Sequence, residues 1–141
     1  MQYKILSRSA AKKASYKLDR RTIIISITDP DKDSVIFHQS ENLVAVCRVS
    51  FDDIDHVSHD YEVLMSDEDA KKIKIFIDRY QDRVEQIIVH CEAGQSRSAG
   101  VMAAIKLWLE NDKFSVWDDP KYTPNRHCYR TMCNEIFGSL V

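Results

Sequence analysis

Glycine and proline are scarce in this chain, three of each in 141 residues. That excludes collagen-like, linker-rich and low-complexity readings. No apolar run reaches the roughly 18 residues that a membrane-spanning helix needs. The opening residues, Met1 to Ser7, lack the apolar core and small-residue cleavage site of a secretory leader, so a cytoplasmic protein is expected. Charge of one sign is not in excess either: 20 Lys and Arg stand against 22 Asp and Glu, a net charge of −2. A general nucleic-acid binder shows a basic surplus or stripe, so nucleic acid and membrane are both set aside as partners. The one basic stretch, Arg8 to Arg21, reads as a solvated face or as a lure for anionic substrates. The four cysteines (Cys47, Cys91, Cys128, Cys133) form no CxxC pair, which argues against a zinc ribbon or a thioredoxin motif. His38, His56, His59 and His127 have no ligand spacing.

What is present is the make-up of one soluble domain spanning residues 1–141, with 44% hydrophobic and 30% charged residues. Tyr3–Ser7 reads as a short strand and Ser9–Tyr16 as a weak helix. Arg21–Thr28 is a β-branched run typical of a strand covered on both faces, and Asp29 to Asp33 is turn chemistry. Asn42–Phe51 reads as a second buried strand that ends in an acidic loop. Ser66–Asp69 is a capping box, followed by Ile73, Phe76, Ile77 and Tyr80 at helical spacing. Val84–His90 is a third strand, and Ser98–Glu110 is apolar on nearly all sides, as a central helix would be. Thr123-Pro124 reads as a helix cap with proline in the first position. Tyr129, Met132, Cys133, Ile136 and Phe137 supply that last helix's stripe. Strands alternating with helices imply an α/β architecture, in which ligands bind beyond the carboxyl ends of the strands. Trp108 and Trp117 are expected to pack against the core or as a lid.

One turn of that kind carries chemistry: His90-Cys91-Glu92-Ala93-Gly94-Gln95-Ser96-Arg97-Ser98. A cysteine leaves a strand, five residues follow, and an arginine opens a helix. A tight strand-to-helix loop turns successive backbone N–H groups inward and makes a nest for an anion. The helix adds its positive end. Gly94 supplies backbone freedom, and Arg97 can present two parallel donors to two oxygens of a phosphate. Glu92, Ala93, Gly94, Gln95, Ser96 and Arg97 are thus the candidate phosphate-binding residues. Such a positive field favours a thiolate over a thiol. Taken singly, Cys91 would be an inert buried thiol, Arg97 a solvated cation and Gly94 a turn glycine. Together they place a nucleophilic sulfur beneath a bound tetrahedral oxyanion.

This loop closely resembles the signature of the cysteine-dependent protein tyrosine phosphatase superfamily. Ala93-Gly94 and the trailing Ser98 are most similar to its dual-specificity branch, and in particular to small bacterial and phage members. The likeness extends over roughly residues 20–137 and includes Val49-Ser50-Phe51, the capped helix and Pro124-Asn125-Arg126. The resemblance implies a central, mostly parallel β-sheet flanked by helices. It implies a hydrolase, a metal-independent phosphatase that works through a phosphocysteine intermediate, with Cys91 as nucleophile and no cofactor. It implies that Arg97 stabilises the transferred phosphoryl group and that Ser98 donates to the cysteine sulfur. His90 would tune that cysteine by hydrogen-bonding nearby backbone, and Asn125 would support the site at the start of the last helix. The general acid falls to Asp53, after the strand Val49–Phe51. Asp52 and Asp55 are rivals, and Asp60 has the better spacing to Cys91 without a matching strand before it. Because the loop interior holds no Lys or Arg and one Glu, the expected partner is a phosphomonoester on protein, phosphotyrosine first, rather than an inositol phosphate or nucleotide polyphosphate. Two alternatives stay open: a catalytically weak phosphate-binding module, and another Cys-loop chemistry such as sulfur transfer or arsenate reduction.

Overall fold

The computed structural model describes residues 1–138. The elements run β1 (Gln2–Leu6), α1 (Arg8–Ser15), β2 (Thr22–Thr28), β3 (Leu43–Ser50), α2 (Asp67–Tyr80), a 3-10 turn (Gln81–Arg83), β4 (Gln86–His90), α3 (Arg97–Glu110), α4 (Ser115–Asp118) and α5 (Arg126–Phe137). Four strands form one sheet in the order β1-β4-β2-β3, and every pairing is parallel. The sequence places helices between strands, and parallel neighbours require such crossovers. The expected α/β architecture is the one observed.

Alternation along β2 divides the core. Ile23, Ile25 and Ile27 face α2, α3 and α5 in the larger cluster, with Val49, Phe51, Ile87 and Val89. Ile24 faces the other way with Ala11, Val35, Phe37, Leu43 and Ile88, under α1 and the chain that leads into β3. All seven residues of β2 are buried, and each fully covered isoleucine contributes on the order of 1.5–3 kcal/mol. Helix α3 explains its all-round hydrophobicity by position: Arg97 to Ile105 are buried without exception.

Three expectations need correction. Asn42–Phe51 does not form a strand buried on both faces. β3 lies at the sheet's edge, five of its eight residues are partly or fully exposed, and Lys72 Nζ caps its Arg48 carbonyl at 2.6 Å. The last helix is capped by Asn125, whose Oδ1 accepts the Cys128 N–H at 3.0 Å, two residues after Thr123. Thr123 instead donates its N–H to the Gln95 carbonyl at 2.9 Å, so this segment is spent on the loop before α5 begins. Phe137 extends past the end of the stripe and is exposed. The Ser66–Asp69 capping box is present, and both of its hydrogen bonds form.

Candidate active site

The carboxyl ends of β2, β3 and β4 converge on residues 91–97. β4 is enclosed by neighbours on both sides and delivers Cys91 at its end. The carbonyls of the following loop are turned outward and held. Glu92 accepts from the Arg8 N–H at 3.1 Å, and Gln95 from Thr123 at 2.9 Å. Ser96 accepts from both Gly100 and Asn125 at 2.9 Å. The amides are left free: among the described residues, none of the N–H groups of residues 92–97 has a hydrogen-bond acceptor. Gly94 makes this path possible. Its φ is +72°, and a Cβ there would lie 2.5 Å from the backbone of Leu6 and Ser7, so any side chain would collide with the end of β1. Helices α1, α2 and α5 are each capped by a side chain, whereas α3 has no side-chain cap. Its orphan N–H groups add to the nest.

Arg97 is 4% exposed. Its Nη1 donates to the Phe51 carbonyl at 2.7 Å and forms an ion pair with Asp29, 2.8 Å from Oδ1. The buried Nε has no partner. Cys91 is 2% exposed, with Sγ 3.1 Å from the Ser98 hydroxyl. His90 is fully buried, and its two ring nitrogens define its state. Nδ1 lies 3.1 Å from the Cys91 carbonyl, which can only accept, so Nδ1 carries the proton. Nε2 then accepts from the Ser26 hydroxyl at 2.6 Å. Burial holds the imidazole pKa below its usual 6.5.

A stability prediction follows from His90. The unfolded chain takes up this proton near pH 6.5, while the folded chain resists it, so the His90 contribution is complete above pH 6.5 and is lost as pH falls below it. The thermal midpoint of the wild type should drop between pH 7.5 and 5.5, and a His90→Asn variant should show a flatter profile there. Equal slopes would remove His90 as the cause. The lowered carboxylates Asp19, Asp55, Glu62 and Asp112 act only at more acidic pH.

The candidate acids part company in space. Asp53 Oδ1 accepts from the Ser96 hydroxyl at 2.7 Å and from Asn125 Nδ2 at 2.9 Å, which ties it to the loop and to the start of α5. Asp52 instead closes the base of its own loop, exchanging bonds with Val63 at 2.7 and 2.8 Å. Asp55 is exposed and paired with His56, whose hydrogen bond holds the carboxyl below its usual range. Asp60 is exposed, with no side-chain bond among the described residues. Asp53 stands between two shallow cavities of about 460 and 420 Å³. Carboxylates outnumber cations in their walls: Asp31, Asp52, Asp53, Asp55 and Glu62 against Arg126.

The remaining thiols are free and buried. Burial pushes Cys47 up to about 11 and Cys128 up to about 12. Trp117 packs edge-on against Tyr129 and Trp108 against the main core. His127 Nε2 donates to the Met65 carbonyl at 2.8 Å. Among the described residues no helix is long and apolar enough to cross a membrane, and no His, Cys, Asp and Glu cluster could hold a metal ion.

No protein-family model and no curated protein sequence matches this chain. Solved structures do. A human tyrosine phosphatase-like serine/threonine/tyrosine-interacting protein superposes with a TM-score of 0.65 at 19% identity, covering 91% of this chain and 86% of that one. PTPMT1 in complex with PI(5)P gives 0.60 at 16%, covering 96% and 90%. Tk-PTP in its active form gives 0.57 at 10%, covering 97% and 92%. The fold is that of the protein tyrosine phosphatases.

Within that tyrosine phosphatase fold, the supports of the site come from segments distant in sequence. Asp29 was readable only as a turn residue, yet it pairs with Arg97 from across the sheet. The Phe51 carbonyl and the Ser26 hydroxyl are likewise brought in from other strands. Asp29 does carry one signal: it is the first residue after β2, at the carboxyl edge where ligands gather.

Proposed function

We propose that the chain is a cysteine-dependent phosphomonoester hydrolase of the dual-specificity type, acting on phosphotyrosine in proteins through a phosphocysteine intermediate. One observation carries the reading: six consecutive unpaired amides, 92–97, run from a buried cysteine to an arginine whose buried Nε is also unpartnered. An anion with several oxygens answers all of these donors, and a phosphoryl group is such an anion.

In the first step the Cys91 thiolate attacks phosphorus in line. The S–P bond forms as the P–O bond to the leaving group breaks. Asp53 gives its proton to the departing oxygen. Its Oδ1 is occupied by Ser96 and Asn125, so Oδ2 is the oxygen that works. The loop amides and Arg97 stabilise the equatorial oxygens, where most phosphoryl-transfer catalysis lies. In the second step Asp53 takes a proton from water, the water oxygen bonds to phosphorus, and the S–P bond breaks. The Ser98 hydroxyl, 3.1 Å from the sulfur, donates to the departing thiolate.

The acidic walls around Asp53 support a substrate that brings one phosphoryl group rather than several, since further phosphates would meet carboxylates. The deciding assay is phosphate release from a phosphotyrosine peptide beside an inositol polyphosphate, without added metal. Turnover of the peptide above the inositol compound is expected. No turnover of either, with anion binding retained, would make the chain a phosphate-binding module of the same fold.

A further inference from the structure

The β2–β3 connection does more than turn the chain. Asp29 Oδ1 holds Arg97 Nη1 at 2.8 Å, and the Phe51 carbonyl holds the same nitrogen at 2.7 Å. The carbonyl takes a hydrogen bond and the carboxylate an ion pair, so both contacts engage this one nitrogen. What is left is the Nε–Nη2 edge, the pair of parallel donors that matches two phosphate oxygens. Among the described residues neither of those nitrogens has a hydrogen-bond partner. Three residues further along the same connection, Lys32 Nζ lies 3.6 Å from Asp29 and 3.2 Å from Glu92, the residue after the cysteine. Asp29 and Lys32 therefore tie one short turn to both ends of the anion loop.

We infer that Asp29 is the positioning residue for Arg97: it takes up the wrong edge of the guanidinium so that the Nε–Nη2 edge faces the bound phosphoryl group. This rests on the phosphatase reading of the site. It also carries an unusual sign. Asp29 is an anion close to an anion site, so by Coulomb repulsion alone its neutralisation would tighten oxyanion binding. If its role is to orient Arg97, neutralisation must weaken it.

The experiment is calorimetric titration of orthovanadate into the wild type, Asp29→Asn and Asp29→Glu, with turnover of an aryl phosphate measured on each. Asn preserves shape but replaces the ion pair by a neutral contact; Glu keeps the charge but displaces it by a methylene. Affinity should fall in the order wild type, Glu, Asn, with the Asn variant about tenfold weaker and kcat reduced by more than KM rises. A purely structural role would lower the fraction of competent protein, and hence the stoichiometry, without moving the dissociation constant of what remains. Equal or tighter vanadate binding by the Asn variant overturns the inference. Should the Asn variant not fold, a Glu variant that binds like the wild type overturns it equally. A wild type that binds no vanadate and turns over no phosphoester overturns the phosphatase reading, and this inference with it.

Discussion

Replacing Cys91 by serine should abolish phosphoester turnover, by a factor of about 10⁴ or more, while leaving oxyanion binding in place. The substitution exchanges sulfur for oxygen and little else. Serine fits the same space at the end of β4 and can still meet the Ser98 hydroxyl. It cannot supply a thiolate, because a hydroxyl in this loop stays protonated at neutral pH. The six loop amides and Arg97 are untouched, so phosphate should still bind. Steady-state assay of an aryl phosphate together with calorimetry separates the two effects. Turnover that persists in the serine variant would refute covalent catalysis by Cys91.

The second large effect is expected at Asp53. Asp53→Ala should lower kcat by roughly 10²–10⁴-fold, the range for loss of general acid–base help. The alanine variant also releases Ser96 and Asn125, so Asp53→Asn is the sharper instrument. The amide oxygen can still accept both hydrogen bonds but cannot deliver a proton. Both variants should lose kcat, and the loss should shrink for substrates whose leaving group needs no protonation. Asp55→Ala, by contrast, removes a carboxylate that is solvated and paired only with its neighbour His56. It should turn over substrate like the wild type. If Asp55→Ala or Asp52→Ala shows the large loss and Asp53→Asn does not, the acid has been assigned to the wrong carboxylate.

The parts of the molecule that were legible in the sequence are those whose physics is local. The β-branched run Thr22–Thr28, the capping box at Ser66 and the apolar helix after Arg97 each report their structure within a few residues. The spacing from Cys91 to Arg97 is equally local, because a strand end, a glycine and a helix start follow one another along the chain. What was not legible depends on contacts across the sheet. Nothing in residues 42–51 says which strand will lie at the edge, and β3 reads as buried until β2 proves to be its sole neighbour. Thr123-Pro124 has the form of a cap and predicts a last helix that starts two residues early. The Thr123 amide is taken by Gln95, 28 residues earlier, and Asn125 caps instead. Asp29 and Arg97 are separated by 68 residues, so their ion pair has no sequence signal beyond Asp29's place at the end of a strand. Gly100 is similar. It sits inside a helix, where glycine costs about 1 kcal/mol relative to alanine, and only the packing shows why. A Cβ there would come within 2.4 Å of the Asn125 carbonyl, so its absence lets α5 start against the loop.

The account rests on an oxyanion seated among the amides of residues 92–97. Titration of inorganic phosphate into isotopically labelled Cys91→Ser protein, followed by amide nuclear magnetic resonance, observes those groups one by one. The N–H signals of residues 92–97 and the Arg97 Nε–H should shift together along one saturating curve, with the signals of α2 and of the β3 edge unmoved. Saturation elsewhere on the surface, with residues 92–97 silent, would contradict it.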